Sequence, residues 1–140
     1  MNTLRTLLLA FALAAAAVPA ARAASLYTDL GGLDTIRTFV GRTVDLAFTD
    51  PRIAKAFAHS KRDYLKKMIT QQVCDLSGGP CRYNGLTMKK AHVGMGLTTA
   101  DFNALVELLQ QAMRESHISY HTQNRLLAIL APMHRDVVEK

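Results

Sequence analysis

His92 has the setting in which an imidazole does chemistry. It closes the run Leu86-Thr87-Met88-Lys89-Lys90-Ala91-His92, and Gly94 and Gly96 follow at once. A short helical turn stopped by two glycines presents the ring rigidly, and imidazole is a common iron ligand. Taken alone, a single histidine among apolar neighbours is equally a satisfied core or surface residue. The other four histidines read as surface: His59 lies in a turn, and His117, His121 and His134 near helix ends. The two cysteines, Cys74 and Cys81, flank Asp75-Leu76-Ser77-Gly78-Gly79-Pro80, a segment able to turn back on itself. Both a disulfide and two free thiols are open, and an oxidising compartment favours the disulfide. Neither reads as a nucleophile, and no Cys-x-x-Cys-His attachment motif is present.

The elements that must position these residues read as helices, since no segment sustains the period-2 alternation of a strand. Ser25 to Leu30 leads into the Gly31-Gly32 break. A helix over about 33–48 carries Ile36, Phe39, Val40, Val44, Ala47 and Phe48 on one face. Asp50 is expected as N-cap and Pro51 as first helical residue of a short element bearing Ile53, Ala56 and Phe57. Ser60 is expected to cap a helix to about Leu76, in which Leu65, Met68, Ile69, Gln72 and Val73 share a face. Gly78-Gly79-Pro80 stops it, and residues 81–88 read as loop. Thr98, with Asp101 three residues on, caps a long helix whose inner face is Phe102, Leu105, Val106, Leu109, Ala112 and Met113. A last helix over 122–138 turns Leu126, Ile129, Leu130, Met133 and Val137 inward and kinks at Pro132.

Residues 1–23 have the form of a cleavable secretory signal. Arg5 precedes an apolar run from Leu7 to Val18, then Pro19 and the small-residue site Ala21-Arg22-Ala23. The run is short against the ~20 residues of a membrane span, so no stable span is expected after cleavage. Residues 24–140 suit one domain. Losing Arg5 and Arg22 lowers the formal net charge from +6 to +4. The remaining basic residues are scattered with few aromatics among them, which argues against a nucleic-acid partner.

Ordered markers run along nearly the whole of residues 24–140. They are Leu26-Tyr27-x-x-Leu30-Gly31-Gly32, Asp50-Pro51-Arg52, Gly78-Gly79-Pro80, Tyr83-x-Gly85, Met88-x-x-Ala91-His92, Gly94-x-Gly96-Leu97-Thr98-x-x-x-Phe102 and Leu127-Ala128-x-x-Ala131-Pro132. In this order and spacing they resemble the group I truncated haemoglobins, here an exported bacterial member. The resemblance implies an all-α, globin-like fold, a truncated two-over-two helical sandwich around haem b. It implies His92 as the proximal ligand of the iron. It suggests Phe57, Leu65, Met68, Ile69, Gln72, Val73, Tyr83, Met88, Leu97, Phe102 and Leu105 as haem contacts, each also explicable as plain core. Lys89, Lys61 or Arg62 could meet a propionate, or be solvated surface. For an exported bacterial member the expected location is the periplasm, as a monomer or weak dimer.

The chain departs from the family on the distal side. Many members place a Tyr where this sequence has Val44, preceded by Thr43. Many carry Gln where it has Ile69, and Leu65 fills another distal position. Val44, Leu65, Met68 and Ile69 therefore make a mostly apolar distal pocket. Gln72, one turn beyond Ile69, is expected to point at solvent rather than inward. Bound O2 carries partial negative charge, and a missing charge-assisted hydrogen bond forgoes ~1.5–3 kcal/mol, roughly tenfold to a hundredfold in affinity. Carbon monoxide and nitric oxide need the donor less. The expected function is binding of O2, NO or CO at a five-coordinate haem b iron rather than catalysis. Nitric oxide dioxygenation needs stable bound O2 and a redox partner, and peroxide reduction needs a polar distal acid–base. A third reading is an electron carrier or sensor with Met68 or His59 as internal sixth ligand, since some cyanobacterial relatives place an iron-binding histidine at the position of Met68.

Overall fold

A computed structural model describes residues 25–140; the export signal read in residues 1–23 lies outside them. Every regular element described is helical. Helix α1 is Leu26–Asp29, and Ser25 caps it by accepting the Thr28 N–H. Gly31 and Gly32, with φ of +84° and +76°, turn the chain into α2, Gly32–Ala47. The αL conformation there suits glycine alone at low cost. Three short or medium elements follow: α3, Ala54–Phe57; α4, Arg62–Leu76; and α5, Met88–His92. Helix α6, Thr99–Glu115, and α7, Tyr120–Leu130, complete the main helices. A 3₁₀ turn, Ala131–Met133, leads into α8, His134–Val137.

Helix α2 is the central strut, packed against both α4 and α6. Its face of Ile36, Phe39, Val40, Val44 and Ala47 is buried, with Ile36 and Phe39 wholly shielded. The main core joins that face to Leu26 and Leu30, to Val73 and Cys74 of α4, to Ala112 and Met113 of α6, and to Leu126 of α7. A smaller cluster of Ala47, Ile53, Ala104 and Leu108 closes the far end of α2. Burying apolar area at about 25 cal/mol per Å² is the main stabilising term.

Four expectations about elements change. Asp50 and Pro51 open a turn, and helix α3 begins only at Ala54. The Asp50 carboxylate accepts the Arg52 N–H at 2.9 Å, which satisfies the turn locally. Lys61, not Ser60, is the N-cap of α4, without a side-chain bond. The last helix is not one kinked rod. Pro132 lacks the N–H that an α-turn needs, so the chain tightens into the 3₁₀ turn between α7 and α8. On α6 the small residues Ala104 and Ala112, with Leu108, take the closest approach to the core, leaving Phe102, Leu105, Val106 and Leu109 half-buried on an adjoining stripe.

The segment after α4 is tied down tightly. Cys74 and Cys81 form a disulfide with Cα atoms 5.7 Å apart. The Gly79 N–H donates to the Cys74 carbonyl at 2.8 Å and the Tyr27 N–H to the Ser77 carbonyl at 2.9 Å. A side chain on Gly79 would meet the Tyr27 ring at 2.4 Å, so this crossing requires glycine. The Tyr83 N–H then donates to the Asp75 carboxylate at 2.9 Å, which aims Tyr83 back across the fold.

Candidate cofactor pocket

The half-buried stripe of α6 faces a cavity of about 330 Å³, walled by α2, α4, α5, α6 and the residues around α8. Its floor is Val40, Val44 and Val73, and its mouth is rimmed by exposed Tyr64, Leu86 and Met95. No lysine or arginine lines it. A mostly apolar cleft with a few polar groups is the usual form of a cofactor site.

His92 lines this cavity from the last residue of α5. Thr87 caps the helix by accepting the Lys90 N–H. The His92 Nδ1 lies 2.8 Å from the Met88 carbonyl one turn back. A carbonyl can only accept, so Nδ1 carries the hydrogen of this bond, and in the neutral ring Nε2 keeps its lone pair. Nε2 has no hydrogen-bond partner among the described residues. An imidazole fixed in this way has its tautomer chosen and one nitrogen free to accept or to ligate.

Of the residues singled out as contacts, Phe57, Leu65, Met68, Ile69, Val73, Tyr83, Met88, Leu97, Phe102 and Leu105 line the same cavity as His92. Lys89 does not; it stands exposed on α5. Lys61 is exposed, and Arg62 pairs with Asp45 and lies 4.5 Å from the centre of the Phe48 ring. His59 is exposed and outside the lining. Gln72 differs from expectation. It turns inward, with Nε2 3.5 Å from the Met88 sulfur, because Gln72 continues the stripe of Leu65, Met68 and Ile69 on α4 while Lys67 takes the exposed side.

The other polar donors of the lining are occupied or peripheral. The Thr43 hydroxyl donates to the Phe39 carbonyl at 2.8 Å. The Tyr83 hydroxyl donates to the Leu86 carbonyl at 2.8 Å, and burial pushes its pKa up, with Tyr64 adding a smaller effect. Asp101 holds the capping box of α6, accepting from Thr98, and those bonds lower its pKa. Met68 packs its methyl near Gly85, where an added Cβ would stand 2.7 Å from it and 2.4 Å from the Tyr83 hydroxyl. Among the lining residues that sequence reasoning did not assign to the site are Ser60, Tyr64 and Met95. The first two were legible, since 60, 64, 68 and 72 form an i, i+4 row on α4 and its entry.

The model of the bacterial-like globins matches residues 25–139. The chain belongs to that family. This globin is 27% identical over 116 residues to a group 1 truncated haemoglobin of Tetrahymena pyriformis, spanning 83% of this chain and 96% of that one. The crystal structure of the T. pyriformis protein in its Fe(III) form superposes with a TM-score of 0.80 at 26% identity, covering 84% of this chain and all of that chain. The 2/2 haemoglobin of Synechococcus sp. PCC 7002, in a cyanomet state with covalently attached haem, gives 0.77 at 25% identity, over 84% and 100% of the two chains. The fold of this globin is thus the two-over-two helical arrangement, and membership implies haem binding.

The residues present fit that group. The cavity is apolar, open on one side and lined by one imidazole with a free Nε2 lone pair. Among the described residues no cluster of three His, Cys, Asp or Glu could hold a bare ion.

Proposed function

We propose that this globin is a haem b protein that binds diatomic gases reversibly, with His92 as the proximal ligand. The observation that carries the reading is the His92 bond to the Met88 carbonyl, which leaves Nε2 as the one unengaged basic nitrogen in the cavity lining. When bound, haem would supply an iron able to take O2, NO or CO. Val44, Leu65 and Ile69, on the α2 and α4 walls of the same cavity, are apolar and offer no hydrogen-bond donor. Gln72 carries the one side-chain amide in the lining, and it rests against a methionine sulfur, a weak acceptor. This wall favours CO and NO over O2. We place the protein in the periplasm, on the form of residues 1–23 and the Cys74–Cys81 disulfide.

The test is the absorption spectrum of the haem-loaded protein, ferric and then ferrous, beside that of His92→Ala. A five-coordinate high-spin ferrous spectrum, with stoichiometric haem lost in the variant, is expected. Haem retained by His92→Ala with an unchanged spectrum would refute the assignment of His92. A six-coordinate low-spin ferrous spectrum would refute the open site.

A further inference from the structure

We infer that Glu139 is a positioning residue for His92, acting through the turn that ends α5. This rests on the reading of His92 as the iron ligand. Helix α5 is five residues long, far below the length at which a helix sustains itself. The bond to Met88 sets the rotation of the ring, but nothing inside α5 sets the direction in which the helix points. The chain leaves α5 at once. Val93 is extended, and Gly94 and Gly96 take φ of +80° and +62°. That conformation turns two backbone N–H groups toward one point, an anion-binding concavity.

The Glu139 carboxylate fills it. Gly94 donates to one oxygen at 2.7 Å and Gly96 to the other at 2.6 Å. These two bonds lower the pKa of Glu139. The backbone closes the clasp, since the N–H groups of Glu139 and Lys140 donate to the Leu97 carbonyl at 2.9 and 3.3 Å. The turn is joined to the ligand itself, as the Met95 N–H donates to the His92 carbonyl at 3.1 Å. The clasp is anchored at its other end on α6. The Thr99 hydroxyl and His134 Nε2 lie 3.0 Å apart, and the His134 ring stands edge-on to Phe102, which lines the cavity. Residues from His134 to Lys140 thus hold α5 at a set angle to α6, and Glu139 is the only side chain among them that bonds the turn after His92.

The experiment compares wild type, Glu139→Ala and Glu139→Gln, with Glu115→Ala as a control that removes a remote surface ion pair. Amide exchange at Gly94 and Gly96 is read in the haem-free protein. The iron–imidazole stretching band and the rate of haem transfer to apomyoglobin are read in the loaded protein. Glu139→Ala should bind haem one to one, yet exchange both amides at least tenfold faster, shift or broaden the band, and release haem at least fivefold faster. Glu139→Gln, with one acceptor oxygen, should fall between, and Glu115→Ala should match wild type. Fast exchange with an unchanged band and release rate would make the clasp merely structural and overturn the inference. A wild-type protein that takes up haem but shows no iron–imidazole band would refute the assignment of His92, and the positioning role with it.

Discussion

Removing the disulfide tests how the structure holds its pocket wall. The bond closes a segment seven residues apart in sequence, and the chain-entropy relation gives ~2.4 kcal/mol for a loop of that size. The cleanest perturbation is Cys81→Ala. Cys81 is half-buried, whereas Cys74 is fully buried in the core, where a lone thiol packs as a small hydrophobe. The native loop should survive, because the Tyr83–Asp75 and Gly79–Cys74 hydrogen bonds do not depend on the sulfur bridge. The effect therefore falls on the unfolded chain. For a domain of this size it corresponds to a Tm lower by roughly 10 °C, read by far-ultraviolet circular dichroism on haem-free protein. Reductant should lower the wild-type Tm to the same value and leave the variant unmoved. A variant within about 2 °C of wild type, or one that reductant still destabilises, would refute the reasoning.

Three further outcomes follow from the same geometry. Val44→Tyr brings a donor to the distal wall and should slow O2 release roughly tenfold to a hundredfold, as read by stopped flow; an unchanged off-rate would mean that position 44 does not face the gas. Thr98→Ala removes the hydroxyl of the α6 capping box and should cost about 1 kcal/mol in urea unfolding. Asp101 in the same box has a lowered pKa, so its contribution is present above the ordinary Asp value and lost as the pH falls through the lowered one. Asp101→Asn should accordingly lower stability at neutral pH and flatten its acid limb, with variant and wild type converging once the pH is below the lowered pKa.

Much of the pocket was legible in the chain because its walls are periodic. Leu65, Met68, Ile69, Gln72 and Val73 recur at helical spacing on α4 and reach one cavity, and so do Phe102 and Leu105 on α6. Caps were read well where side-chain chemistry is local, as at Thr98 and Asp101. They were misread at Ser60, where the entry to α4 is set by packing against α2 rather than by a side-chain bond. The direction of Gln72 escaped too. Spacing placed it on the inward row, but a glutamine's preference for water argued the other way. Met88, sixteen residues on and carried back by the loop after the disulfide, gives it a partner inside.

The sequence by itself determined the all-helical class, the order of the elements, the stops at the glycine pairs and the candidacy of His92. These are local: periodicity, turn chemistry and one short motif. Only the tertiary structure decided which histidine nitrogen is free, that Ala104 and Leu108 rather than Phe102 and Leu105 take the core side of α6, and that Glu139 reaches back 45 residues to the Gly94 N–H. Each of these depends on where a distant backbone group comes to lie. A carbonyl or an amide carries no sequence signature, so its partner appears only when the chain has closed on itself.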